Sequence, residues 1–211
     1  MLSNINLVQS SVTDLAAADD ETLARAFVEC DERAPRIVWE RFSPMVRRIL
    51  RRSLGPGAEV EDLLQDVFLR VHQKSPGLRN PKAFRAFIIA IATFEARHEL
   101  RRRWVRQKLG FRYEQASTLE LRVVHPDPDG REALKRFYRI LDKLNARDRT
   151  AFVLRFMEGL ELTEVAEAIG VSVATAKRRL NHAWTRIRVQ VERDPYLVDY
   201  LAPLTEKGSE P

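Results

Sequence analysis

The stretch LELTEVAEAIGVSVATAKRRLNHAWTRIR, residues 160–188, constrains the fold more tightly than any other part of the chain. Its first segment, residues 163–169, places Val165, Ala166 and Ile169 on one side of a short helix, with Thr163 at the position of an N-cap oxygen. Gly170 follows directly and takes a left-handed backbone at little cost, so it ends this helix, and Ser172 offers a cap for the next. Two helices joined by a tight glycine turn form a helix-turn-helix.

The second helix is read by angle, at about 100 degrees per residue. Ala176, Leu180, Ala183 and Ile187 share a narrow arc that must face a core. Opposite them lie Ala174, Arg178, Asn181 and Thr185, flanked by Thr175, Lys177 and His182. Small Ala174 at the start lets a backbone approach a duplex, and Arg178 and Asn181 carry the forks that pair with guanine and adenine edges. Lys177, Arg179 and the Thr175 hydroxyl suit phosphate oxygens. A solvated cationic face is the bland alternative; the glycine turn and the small residue at the helix tip together favour DNA.

The net charge is only +6 over 211 residues, so the cationic excess must be local to matter. It is concentrated in residues 97–108, where Arg97, Arg101, Arg102, Arg103, Arg106 and Lys108 face a single anion, Glu99. Clustering of this kind fits a polyanionic partner. Cys30 is the sole cysteine, which excludes an intrachain disulfide and makes a reducing cytoplasm the natural compartment. The first residues lack the basic start and apolar run of a signal peptide, and no apolar run reaches the roughly 18 residues of a membrane span. Membrane insertion is not expected.

Residues 1–18 are small and polar and are expected to be loosely held. Asp19 and Asp20 cap a helix running to about Cys30, with Leu23, Ala26 and Phe27 inward. A second helix, 36–53, buries Val38, Phe42, Val46, Ile49 and Leu50, and Pro44 should kink or restart it. Residues 60–74 carry Val60, Leu64, Val67, Phe68 and Val71 on one stripe and Glu61, Asp62, Gln65 and Asp66 outward. A long helix over 82–106 starts with Phe84, Phe87, Ile88 and Ile91 inward. Beyond Ala92 that stripe carries Glu95, His98 and Arg102, so the helix is expected to leave its core and project a basic end. There Phe94 and Trp104 lie among arginines, a mixture suited to single strands, where bases stack on rings and cations follow phosphates; alternatively both rings complete the core. Residues 109–131 end in HPDPDG and read as a linker. Helices over 132–145 and 148–157 give the helix-turn-helix its core; past Arg193, Pro195 interrupts, Tyr196 to Leu201 can form a short turn, and from Pro203 the tail, counted from residue 194, reads as polar. The whole is all-α: two helical domains, 19–108 and 132–193, joined by a flexible linker.

Three stretches, ERFSPMVRRILRR, EDLLQDVFLRVHQ and FRAFIIAIATFEARHELRRR, together with the segment from Leu144 to Arg188, resemble the extracytoplasmic-function branch of the sigma-70 family, the smallest RNA polymerase specificity subunits. The resemblance implies an initiation factor with no catalytic residues, cofactor or metal, whose partners are core RNA polymerase, promoter DNA and an anti-sigma protein. By position it implies that Asp62, Leu63, Gln65, Asp66 and Phe68 dock on polymerase. It further implies that Phe94, Arg97, His98, Arg101, Arg102, Arg103 and Trp104 meet the minus-10 element. Ala174, Thr175, Lys177, Arg178, Arg179, Asn181 and His182 would meet the minus-35 element. Phe94 and His98 stand where the family commonly has Asn and Asp, and Phe87 where it has Trp. Two rivals stand beside this reading: a promoter-bound regulator or sigma-like antagonist that does not initiate, and an enzyme using Asp62, Asp66 and His72. The enzyme lacks support from any phosphate-cradling glycine loop, cysteine pair or nucleophile elbow.

Overall fold

The computed structural model describes residues 15–55, 58–109 and 128–199, and these are helical throughout. In order, α1 is Asp20–Val28, α2 Ala34–Leu54, α3 Glu61–Lys74 and α4 Phe84–Lys108, the last entered through a 3-10 turn at Pro81–Ala83. Then come α5 Pro128–Leu141, α6 Ala146–Phe152, α7 Leu162–Ile169 and α8 Val173–Glu192. Most of the expected linker, and the outer parts of both termini, lie outside the described residues.

Local chemistry sets these boundaries. The Asp19 carboxylate accepts from the Thr22 N–H at 2.8 Å and caps α1 as its sequence suggests. Helix α2 continues through Pro44 and does not restart there. Pro44 and Glu40 are both exposed, so the carbonyl left without an N–H partner faces water and the break costs little. Pro128 opens α5, which therefore begins four residues before the start expected at Glu132; the first turn of a helix does not use the N–H that proline lacks. Helix α6 runs into a π turn at Val153–Met157, which the sequence pattern does not reveal.

The first domain packs α1 to α4 around Phe84, which is fully buried and meets Phe42 edge-on with ring centroids 5.6 Å apart. The second packs α5, α6 and α8 around Phe137, Phe152, Ile187 and Val191. Residues 195–199 add a helical turn that seats Leu197, fully buried, in this core, so the domain extends past residue 193. At the other end, the Ala16 carbonyl accepts from Arg41 at 2.7 Å, tying down part of the segment expected to be loose.

The two domains are closed on each other. A single apolar core runs from Ile88, Ile91 and Ala92 of α4 into Leu154, Val165, Ala166 and Ile169. Helix α4 thus stays in a shared core as far as Ala96 and Arg97, where α7 packs on it, and from Arg101 on it projects a mostly exposed basic end as expected. Glu95, which seemed to interrupt the stripe, is buried and pairs with Arg70 of α3 at 2.8 Å.

Polar contacts complete the closure at the end of α2, whose last carbonyls have no partner within the helix. The Ser53 carbonyl accepts from Nε of buried Arg149 at 2.6 Å and the Arg52 carbonyl from the Tyr138 hydroxyl at 3.4 Å, while the Leu54 carbonyl accepts from Arg103 of its own domain at 3.3 Å. Gly55 follows with φ +102°, a conformation that disfavours any side chain, and a Cβ there would stand 3.4 Å from the Tyr138 ring. Glu158 is the second anchor. Its side chain is 1 % exposed and accepts from Arg48 at 2.8 Å and from Arg52 at 3.0 Å.

Burial at this seam pushes the Tyr138 hydroxyl up to about 12. The neutral phenol is favoured in the packed state, so its contribution is complete below pH ~10 and is lost as pH rises towards 12, on the order of 2 kcal/mol. A tyrosinate absorbance titration should show one late step that Tyr138→Phe removes, with the urea midpoint falling across the same window; a midpoint flat from pH 10 to 12 would contradict this.

Candidate nucleic-acid interface

The helix-turn-helix is built by its caps. The Glu164 carboxylate accepts from the Glu161 N–H at 2.8 Å, so Glu161, and not Thr163, is the N-cap of α7. Gly170 is left-handed at φ +70°, and nothing lies within 4 Å of the place its Cβ would occupy, so glycine is required by backbone conformation alone. Ser172 caps α8, accepting from the Thr175 N–H at 3.3 Å.

These caps orient α8 as its sequence period demands. Ala176, Leu180, Ala183 and Ile187 are buried, while Ala174, Lys177, Arg178, Asn181 and Thr185 are exposed. Lys177, Arg178 and Asn181 make no side-chain ion pair within the described residues and form a cationic, fork-bearing strip open to solvent. Arg179 and His182 differ. Both turn to the buried Asp148 carboxylate, Arg179 at 3.3 Å and His182 Nδ1 at 2.6 Å, and are held against α6.

The basic end of α4 divides in a similar way. Phe94 and Trp104 are 46 % and 56 % exposed, so neither ring completes the core. Arg70 and Lys74 lie over Phe94, at 5.4 and 6.0 Å from its centroid, and Lys108 lies 4.3 Å from that of Trp104. Arg101 and Arg102 are exposed, whereas Arg103 is drawn back to Glu99 at 2.9 Å and to the end of α2. Arg97 is half-buried beneath α7 and donates to the Ile169 carbonyl at 3.1 Å, and His98 lies at the same seam. The α4 surface therefore has a partly covered residue, Arg97, and an open part, His98, Arg101, Arg102 and Trp104.

On α3, Asp62, Gln65 and Asp66 are exposed and Leu63 and Phe68 partly buried, Phe68 lying 4.8 Å from Trp39. Glu61 is exposed as expected, but its charge is taken by Arg47 of α2 at 2.9 Å. Leu69, 57 % exposed, continues the stripe of Asp62, Gln65 and Asp66 one turn further. It was missed among the candidates, although an apolar residue at i+7 on an otherwise polar face was a readable signal. His72 packs against Phe27, ring centroids 5.7 Å apart. Among the described residues, no group of three potential ligands could hold a metal, and no helix is long and apolar enough to cross a membrane.

A mostly helical two-domain chain with one acidic and two basic surfaces has the organisation of a DNA-directed adaptor. Residues 38–106 match Sigma-70 region 2, and residues 134–187 match Sigma-70, region 4. The ferric citrate uptake sigma factor FecI of Escherichia coli is 32 % identical over 135 residues, covering 61 % of this chain and 74 % of the relative. The ECF RNA polymerase sigma factor SigF of Caulobacter vibrioides is 31 % identical over 147 residues, covering 68 % and 77 %. In fold, the chain is similar to CnrH solved in complex with the cytosolic domain of CnrY, with a TM-score of 0.60 at 21 % identity, covering 83 % of this chain and 98 % of that one. The chain belongs to the sigma-70 family of RNA polymerase sigma factors, in its extracytoplasmic-function branch. It is a transcription initiation factor that binds core RNA polymerase and promoter DNA, and the family is not one of enzymes.

Proposed function

We propose that the closed chain is a resting form and that promoter recognition requires its two domains to part. The observation that carries this reading is the position of Arg97: it belongs to the minus-10 set implied by the family resemblance, and it is half-buried against α7, with exposed His98 beside it at the rim of the same cleft. In the open form, Phe94, Arg97, His98, Arg101, Arg102 and Trp104 meet the unstacked minus-10 strand, the rings stacking on bases and the guanidiniums following phosphates. Arg103, held by Glu99 and the Leu54 carbonyl, shapes this surface more than it contacts DNA. At the minus-35 element Arg178 and Asn181 read base edges, Ala174 permits close approach, and Thr175 and Lys177 take phosphates. Arg179 and His182 brace α8 through Asp148. The stripe of Asp62, Gln65, Asp66 and Leu69, backed by Leu63 and Phe68, docks on polymerase.

CnrH was solved with the cytosolic domain of CnrY, and by likeness to it an anti-sigma partner is proposed here as well. The compartment is taken to be the cytoplasm, where polymerase and promoter reside. The proposal is tested by run-off transcription with reconstituted holoenzyme on a promoter obtained by DNA selection. Arg178→Ala or Asn181→Ala should lose about 1 to 3 kcal/mol on the selected minus-35 sequence and far less on a scrambled one. Lys177→Ala should weaken both alike and flatten the salt dependence by about one unit. Equal losses for all three variants on both sequences would remove the assigned readout. Polymerase binding without initiation would instead favour an antagonist.

A further inference from the structure

Where α4 meets the helix-turn-helix, a cleft of about 280 Å³ opens between the domains. Its walls bring together Arg97 and Arg101 from α4, Arg147 from α6 and Arg179 from α8, with His98 and Phe94 beside them and the turn 169–171 as its floor. Four guanidinium groups in so small a space need counter-charge, and the chain supplies little. Arg179 has one bond to Asp148, which His182 also uses. Arg101 and Arg147 have no carboxylate partner among the described residues. Arg97 reaches only the Ile169 carbonyl, and its Nε is buried with no hydrogen-bond partner. Burial, and then the charges of Arg101, Arg147 and Arg179, lower the pKa of Arg97. Like charges gathered at the seam, Arg97 half-buried and Arg101 and Arg147 exposed, oppose closure.

We propose that this cleft binds a small phosphate-bearing anion, between pyrophosphate and a mononucleotide in size, which bridges the two domains and holds the chain closed. Phosphate oxygens accept from planar guanidinium forks in charge-assisted, often bidentate bonds, and four arginines from three helices surround such a group from both domains. The volume excludes a DNA duplex, whose width is several times that of the cleft. Phe94 at its edge offers an apolar ring to a base if the phosphate belongs to a nucleotide. Because half the ligands come from each domain, the site exists only when the domains are closed, so ligand and closure must favour each other. The inference rests on the closed resting form proposed above.

Arg147 provides the test, because it belongs to neither DNA-facing set nor the α3 stripe. It is exposed and lies in the first turn of α6, where Arg147→Glu suits the helix dipole and leaves the fold intact. Full-length protein is titrated calorimetrically with inorganic pyrophosphate and separately with ADP, in about 0.15 M salt to screen loose surface binding. One equivalent of at least one probe should bind and raise Tm, and Arg147→Glu should weaken that binding by about tenfold or more. Tighter binding of ADP than of pyrophosphate, with the difference erased by Phe94→Ala, identifies a nucleotide; equal binding identifies free phosphate chemistry. Absence of binding by either probe at about 1 mM, or affinity unchanged in Arg147→Glu, overturns the proposal. Run-off transcription by Arg147→Glu without added anion should not exceed that of the parent, because the carboxylate relieves the repulsion that opposes closure. A parent that fails to initiate at all would count against the promoter reading and leave the cleft result standing by itself.

Discussion

Glu158→Lys should open the chain. In the closed form this carboxylate, 1 % exposed, accepts from Arg48 and Arg52 of the other domain. The substitution replaces two charge-assisted bonds by three neighbouring cations. Removing one partner of a fully buried ion pair costs about 3–5 kcal/mol. Arg48 and Arg52 are 51 % and 37 % exposed, so water screens the interaction and stabilises both after opening. Roughly 3 kcal/mol against closure remains, about a hundredfold shift in the closed-to-open ratio. The long lysine reaches solvent once the domains part, so the second domain keeps its own core around Phe152 and Ile187. Energy transfer measures the change directly: Cys30 is the only cysteine and is exposed, and Thr185→Cys gives a second labelling point on the far side of α8. Transfer should drop in Glu158→Lys and drop less in Glu158→Gln. Affinity for a single-stranded minus-10 oligonucleotide should rise with the open fraction, because a ligand that binds only one state is weakened by the scarcity of that state. Loss of transfer without any gain in oligonucleotide affinity would mean that closure does not guard the α4 surface, and unaltered transfer would mean that Glu158 is no latch.

That latch could not have been read from the sequence, and the reason is physical. Periodicity reports which face of a helix is apolar and is silent about what covers it. In α8 the apolar arc and the cover belong to one domain, so Ala176, Leu180, Ala183 and Ile187 were assigned correctly, as were Gly170 and Ser172, whose roles are local. In α4 the arc changes partner midway. Glu95 looked like the point where the helix left its core because Arg70, which neutralises it, lies on another helix; Arg97 looked as solvent-facing as Arg101 and Arg102 are because α7, more than sixty residues later, supplies its cover. Arg179 and His182 were grouped with the outward face for the same reason: their partner, Asp148, sits on α6. Pro44 does not restart α2, since a helix breaker on an exposed turn loses one hydrogen bond to a carbonyl that water can satisfy. Periodicity does not say which surface would meet polymerase and which DNA; that proposal comes from the family resemblance alone.

The acidic stripe of α3 should give the largest loss of all when its charge is reversed. Asp62, Gln65, Asp66 and Leu69 occupy i, i+3, i+4 and i+7, one continuous exposed line, and neither aspartate has an ion-pair partner among the described residues. Their charge is therefore available to a partner, unlike that of Glu61, which Arg47 already uses. Asp62→Lys combined with Asp66→Lys turns attraction into repulsion at two points of a basic docking surface, each worth about 2 kcal/mol, so affinity for core polymerase should fall several hundredfold. Folding should change far less. Asp62 gains only about 0.3–1 kcal/mol from the N-terminus of α3, and the buried residues Leu64, Val67 and Val71 are untouched. Leu69→Ala separates apolar docking from charge: it should weaken polymerase binding by roughly tenfold while leaving the salt dependence unchanged, since burying a leucine side chain is worth about 1.5–3 kcal/mol and carries no charge. Binding of an isolated minus-35 duplex should be the same in all these variants, because α8 lies in the other domain. Polymerase affinity that withstood both charge reversal and loss of Leu69 would move the docking surface away from α3 and leave its acidic stripe as a merely solvated face.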